Sequence, residues 1–167
     1  MDLIFHFKDA ERRPSGGRFE LREHTFGGRS RASLIVPGAS RVTWRLFVPR
    51  RATLQVFAAV PAASGPAAAA VRLGISDGRR YDHLREQVVT SDESAKDWVP
   101  VSVDLSFYAG RKFSLFYRPD FTKWQIVIGT YVVQGAPEGV ILGEPGLYAD
   151  TESAREYQGR MVERSRR

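Results

Sequence analysis

The sequence predicts an all-β protein, an antiparallel β-sandwich or jelly roll of about eight or nine strands. Three observations carry that expectation. Apolar residues recur at every second position through one short run after another, Gly, Pro and Asp-Gly signals separate the runs at short intervals, and almost no helical period stands between them.

The N-terminal residues fit this pattern least. Leu3, Phe7 and Ala10 lie at roughly helical spacing, so Asp2 to Arg13 reads as a short helix, followed by a turn at Pro14-Ser15-Gly16-Gly17 and an extended segment from Arg18 to Thr25. From Ser33 the period is two. Ser33 to Val36 is a short strand closed by Pro37-Gly38. In RVTWRLFV, Val42, Trp44, Leu46 and Val48 point one way while Thr43, Arg45 and Phe47 point the other. TLQVFAAV repeats the alternation with Leu54, Val56, Ala58 and Val60, and the two runs read as a hairpin turned at Pro49 to Ala52. Residues 61 to 70, PAASGPAAAA, hold two prolines and read as a loop. VRLGI follows, then the Asp77-Gly78 turn signal and a strand from Tyr81 to Val89. TSDESAKD, residues 90 to 97, reads as a polar connection. WVPVSVDL, KFSLFYR, QIVIGTYVV and GVILGEPGLY complete the set. The tail TESAREYQGRMVERSRR is dominated by charge and reads as a frayed helix or a linker.

A chain of 167 residues is long enough to bury one core without metal or disulfide staples. It has no cysteine, which excludes a disulfide framework, a thiolate metal site and a thiol nucleophile. The formal net charge of +6 favours anionic partners by long-range attraction. Its arginines are spread along the chain, however, whereas a nucleic-acid footprint clusters on one face among aromatics, so no specific nucleic-acid role is expected. No secretory signal opens the sequence and no run approaches the ~20 apolar residues of a spanning helix. The chain is therefore read either as cytoplasmic or as a piece of a larger exported or membrane protein.

Catalytic patterns are scarce. His6, His24 and His83 stand in three separate segments without a second ligand at metal-binding spacing. The acids, including Asp82, Glu86, Asp92, Glu93, Asp97, Asp104, Asp120, Glu138 and Glu144, are dispersed, and no motif ranks two of them as a glycosidase pair. Ser91 to Ser94 offers oxygens to calcium yet lacks the D-x-D-x-D-G loop, which would make it a structural site at best, and no other cofactor is expected. No G-x-S-x-G, P-loop or dinucleotide fingerprint occurs, and the chain is read as no enzyme.

Aromatics in connections are the better lead. Trp44 and Trp98 belong to alternating runs and are expected in or beside the core. Trp124, next to Phe121 and Lys123 in RPDFTKWQ, is placed in a connection, where an exposed indole can stack on the CH face of a sugar while Gln125 and neighbouring polar groups take the hydroxyls. The bland alternative is that Trp124 covers one end of the core. Tyr81, Asp82, His83 and Arg85, beside the Asp77-Gly78 turn, form a second polar-aromatic group.

Taken together, SRVTWRLFVPRRATLQVFAAV, VRLGISDGRRYDHL, WVPVSVDLSFYAGRKFSLFYR and VILGEPGLY resemble the galactose-binding-like β-sandwich domains found beside bacterial sulfatases and envelope glycosyltransferases. The resemblance covers roughly residues 33 to 150. Leu142 stands where that pattern often has Trp. The resemblance implies a non-catalytic, carbohydrate-binding-like module of extracytoplasmic location, and it carries no defined ligand set.

The expected organisation is an N-terminal segment, 1 to 32, packed on a sandwich of residues 33 to 150, with 151 to 167 as a charged tail or linker. The first functional reading is a module binding a glycan or cell-envelope polymer, or positioning a partner enzyme, through Phe121 to Gln125 and Tyr81 to Arg85. The second is a structural or protein-interaction domain of a larger membrane or envelope assembly, using a strand edge or the Arg-rich tail. Within WVPVSVDLSFYAG, Asp104 is expected to accept backbone N–H bonds at a strand end, Tyr108 to pack across the sandwich edge and Gly110 to permit the next turn.

Overall fold

A computed structural model describes residues 1–49, 51–62, 64–108 and 124–148. Two five-stranded antiparallel sheets face each other. In chain order the strands are β1 (Glu11–Arg13), β2 (Glu20–Phe26), β3 (Arg29–Val36), β4 (Ser40–Leu46), β5 (Thr53–Ala59), β6 (Ala68–Ser76), β7 (Tyr81–Thr90), β8 (Val99–Asp104), β9 (Trp124–Gln134) and β10 (Val140–Tyr148), with one helix, α1 (Ser91–Lys96). One sheet has the order β1-β4-β9-β6-β7 and the other β2-β3-β10-β5-β8. The chain is the β-sandwich that its alternation predicts, with ten strands among the described residues. The expected KFSLFYR strand and the tail 151 to 167 lie outside those residues.

The alternation works as a register device, because a one-residue slip would turn every apolar side chain outward. Val42, Trp44 and Leu46 of β4 stand opposite Ile128, Ile126 and Trp124 of β9 and share the inner face with them. Leu34 and Val36, Leu54 and Val56, and Leu142 answer from the other sheet, all fully buried. Removing that apolar surface from water is the main favourable term for a fold of this type.

Five local expectations differ from the structure. β4 and β5 do not form a hairpin: β4 pairs with β1 and β9, and β5 with β10 and β8 in the opposite sheet. Period two identifies strands but not their partners, and the connection between Leu46 and Thr53 is long enough to cross the ~10 Å between packed sheets. Residues 1 to 32 do not lie outside the sandwich either, since they supply β1, β2 and the start of β3. In place of a helix over Asp2 to Arg13 there is a single 3-10 turn, Phe7–Asp9. Leu3, Phe7 and Ala10 are buried as the helical reading required, but long-range bonds hold them: Leu3 N–H donates to Pro145 O (2.9 Å) and Trp44 Nε1–H to Leu3 O (3.1 Å).

The run read as a loop at 61 to 70 becomes strand from Ala68 onward. Ala68, Ala69 and Ala70 are small enough to be buried in a strand flanked on both sides, by β9 and β7. TSDESAKD is mostly the helix α1 rather than a bare connection. Thr90 caps it in a full capping box with Glu93, while two of its serines turn inward: Ala67 N–H donates to Ser91 Oγ (3.0 Å) and Val60 N–H to Ser94 Oγ (2.9 Å). The polar side chains thereby satisfy backbone donors that the strand ends leave unpaired.

Candidate functional site

The outward face of the β1-β4-β9-β6-β7 sheet holds the candidate site. With Trp44, Ile126, Ile128, Leu73 and Ile75 facing inward, the strand period turns Arg41 and Arg45, Gln125, Val127, Gly129 and Tyr131, and Arg72 and Gly74 to the opposite side. A cleft of about 420 Å³ opens there, lined by residues that include Arg41, Arg72, Tyr81, Val127, Gly129 and Tyr131. That volume lies within the usual range of ligand sites.

Two glycines shape the floor in opposite ways. Any side chain at Gly74 would overlap the Tyr81 ring, so Gly74 is what lets the ring lie over the sheet. Tyr81 remains 47% exposed there. A Cβ on Gly129, by contrast, would come no nearer to its surroundings than Ser40 O at 3.7 Å and the Arg72 Cβ at 3.9 Å. The backbone at 129 therefore does not demand glycine for steric reasons, and its missing side chain leaves open floor in the cleft.

One wall is a fixed polar cluster. Arg72 Nε–H donates to Glu86 Oε1, Tyr131 Oη–H donates to the same oxygen (2.8 Å), and the Arg72 guanidinium lies 4.6 Å from the centre of the Tyr131 ring. The Arg72 hydrogen bond, joined by that of Tyr131, holds the Glu86 carboxyl below its ordinary pKa, and Glu86 in turn raises Arg72. Burial pushes the Tyr81 phenol up, against a smaller opposing pull from the nearby Arg72 and Arg41 cations.

The residues expected at the site divide between places. Tyr81 and Gln125 share the outward face, on the two strands that flank Ser76, and His83 stands opposite Gly74 two residues along β7. Asp82 takes a different role, accepting the Tyr108 hydroxyl (2.8 Å). Arg85 sits at a bulge of β7 opposite Leu73.

Trp124 is not an exposed platform in a connection. It opens β9 opposite Leu46, is only 8% exposed, and meets Tyr108 edge-on with ring centres 5.3 Å apart. The period-two pattern of QIVIGTYVV extends back one residue, and that places the indole on the inward side. Phe121 and Lys123 lie outside the described residues, as does Gly110. His6, His24 and His83 are not brought together, and no group of His, Asp and Glu suited to a metal occurs among the described residues. The expected scaffold roles of the 98 to 108 stretch are present: Ser106 N–H donates to Asp104 Oδ1 (2.8 Å), and Tyr108 is buried between the sheets' ends.

Sequence reasoning missed Arg41, Arg72, Glu86, Gly129 and Tyr131. The signal was nevertheless there, in the outward half of the same alternation: where β9 faces away from the core it reads Gln125, Val127, Gly129, Tyr131, a polar, small and aromatic series rather than a charged solvated one.

No protein-family model and no curated protein matches this sequence. Solved structures do match. The chain is similar to the CBM22-2 xylan-binding domain of Paenibacillus barcinonensis Xyn10C, with 9% identity and TM-score 0.52 over 89% of this chain and 96% of that one. It is also similar to the CBM22-1 xylan-binding domain of the same protein (14% identity, TM-score 0.50, 83% of each chain). A third match is TmCBM61, solved in complex with β-1,4-galactotriose (8% identity, TM-score 0.50, 89% of this chain and 94% of that one). At such identities the likeness is one of architecture, and it establishes that this chain has the β-sandwich fold found in carbohydrate-binding modules.

Proposed function

We propose that this chain is a non-catalytic module that binds a glycan along the outward face of the β1-β4-β9-β6-β7 sheet. The observation that carries the reading is the unfilled floor at Gly129, bordered by the half-exposed Tyr81 ring and by hydrogen-bonding groups fixed in place by Arg72, Glu86 and Tyr131. A sugar ring needs this combination. Its CH face requires a flat apolar surface, and its hydroxyls require donors and acceptors that are already oriented, so that little is lost in ordering them. The similar structures, a xylan-binding domain and a module in complex with β-1,4-galactotriose, support the same class of partner.

The reading as non-catalytic is supported by the acids of this face. Glu86 is engaged by Arg72 and Tyr131, and Glu11 by Arg13 at 3.1 Å, which suits neither to the opposed acid and base of glycoside hydrolysis. A catalytic domain attached to such a module would be held against the polymer. Of the residues singled out in the sequence, Tyr81, Gln125 and His83 belong to the proposed surface, whereas Trp124 supports it from the core side.

A glycan array tests this directly, with the native protein beside Tyr81→Ala and Gly129→Leu at moderate salt. Binding that falls at least ~10-fold in both variants, the equivalent of ~1.4 kcal/mol, would support the cleft as the site. Binding unchanged in both would move the site elsewhere, and no binding by any form would favour a protein partner.

A further inference from the structure

Resting on that reading, we infer that the cleft selects an acidic glycan, one whose carboxylate or sulfate groups are taken by Arg41 with Arg45 behind it. The outward face of this sheet carries four arginines, Arg13, Arg41, Arg45 and Arg72, on β1, β4 and β6. Its glutamates, Glu11 and Glu86, are each already held by one of them, by Arg13 and Arg72 respectively. Arg41 and Arg45 make no ion pair with any described residue.

Position matters as much as number. Arg41 lies on β4 directly across from Gly129 of β9, so its guanidinium rises beside the open floor rather than at a distant rim. Both Arg41 and Arg72 are near enough to Tyr81 to act on its phenol, which puts the ring and the unpaired cation around one space. Arg45 follows four residues along the same strand, on the same side and about 13 Å further, a spacing that lets a second cation serve a later acidic group of an extended polymer.

A neutral sugar leaves this arrangement with two cations on the same side of β4 and no anionic partner for either. An acidic one gives each a fork-shaped, charge-assisted partner, and the planar guanidinium is suited to both carboxylate and sulfate oxygens. The ordinary alternative for an exposed arginine is a solvated charge that does nothing. Among the described residues, what separates Arg41 from other exposed arginines without a carboxylate partner is that it borders a cleft whose floor is empty.

The test compares one polymer in two charge states. Polygalacturonate and its carboxyl-reduced, neutral form, together with a sulfated galactan and the same galactan desulfated, are titrated into the native protein, Arg41→Gln, Arg41→Lys and Gly129→Ala. The proposal expects the acidic member of at least one pair to bind roughly 10-fold or more tightly than its neutral counterpart. Arg41→Gln should remove that preference, Arg41→Lys should restore part of it, and Gly129→Ala, which the backbone tolerates, should weaken both members. Equal binding of charged and neutral members, still weakened by Gly129→Ala, would overturn the acidic preference and leave the glycan site standing. Acidic binding indifferent to Gly129→Ala and to Arg41→Gln would mean attraction to overall charge and overturn the site as well. Binding of none of the four polymers would overturn the proposal too.

Discussion

The two sheets turn very different outer faces to solvent. On the β2-β3-β10-β5-β8 sheet, Trp98 lies against Gly143, so closely that a Cβ there would meet its Cζ3 at 2.8 Å, and its indole N–H donates to Arg29 O at 2.8 Å. Phe26 meets it edge-on at 4.8 Å between ring centres, and Arg31 stacks on Phe57 at 3.6 Å while pairing with Glu144 at 2.7 Å. Trp98, Phe26 and Phe57 are used in covering the sheet, whereas Tyr148 at the end of β10 stays 46% exposed. On the opposite face Tyr81 is the covering ring and stops at Gly74, which leaves Gly129 bare. The same residue type thus marks a sealed contact where a side chain fills its space and a vacant one where none does, and only the second has anything to offer a ligand.

The largest expected effect separates the faces by stability. Trp98→Ala removes a buried aromatic together with its hydrogen bond and should cost about 3–5 kcal/mol, the usual range for such truncations. Urea unfolding measures it. Glycan binding by the folded fraction should stay within about twofold of native, since the loss lies on the far sheet. A small stability loss accompanied by loss of binding would reverse the assignment of the two faces.

The sequence made the sealed and the open faces unequally legible. Strand existence, the burial of Trp44 and Trp98 and the Asp77-Gly78 turn follow from local rules, and the turn closes as its residues require, with Asp77 Oδ1 accepting from the N–H groups of Arg79 (2.7 Å) and Arg80 (2.8 Å). The cleft is a property of pairing. Arg41, Gly129 and Arg72 come from three strands far apart in the chain, and only the register of β4 on β9 and β9 on β6 places them in one row. Trp124 shows the same limit from the other side, because its burial depends on where β9 begins, and element boundaries are the least certain part of a pattern reading.

A matched pair of arginine substitutions sharpens the comparison. Arg31→Met should cost about 1–2 kcal/mol, mainly through lost stacking on Phe57, because Glu144 is exposed enough for water to replace much of the ion pair. Arg41→Gln should stay within about 0.5 kcal/mol of native, as surface changes away from packed features do. Chemical denaturation of both variants checks the pair. If Arg41→Gln proved as damaging as Arg31→Met, Arg41 would be part of the fold's own packing and a poor choice for a ligand contact.

The smallest effect concerns acid. The folded Glu86 carboxyl titrates below its ordinary value because Arg72 and then Tyr131 hydrogen-bond to its charged form. A depressed carboxyl of this kind contributes stability that is complete above the unfolded pKa and is lost as pH falls through the folded one. Between pH 7 and 5 that contribution is therefore constant, and it fades only below the usual glutamate range of ~4.3. Because Glu86 lies on the solvent side, water and salt screen it, so the change in unfolding midpoint should be slight. Binding is the more sensitive readout: protonation releases Arg72 and the Tyr131 hydroxyl from their shared acceptor, and a neutral ligand should bind more weakly once pH falls through the folded Glu86 pKa, below the ordinary glutamate value, than at pH 6. Glu86→Gln should give the weakened binding already at pH 6 and flatten the profile. If Glu86→Gln bound a neutral ligand as tightly as native at pH 6, the Arg72, Glu86 and Tyr131 cluster would be only surface decoration, and the open face would then rest on Gly129 and Tyr81 alone.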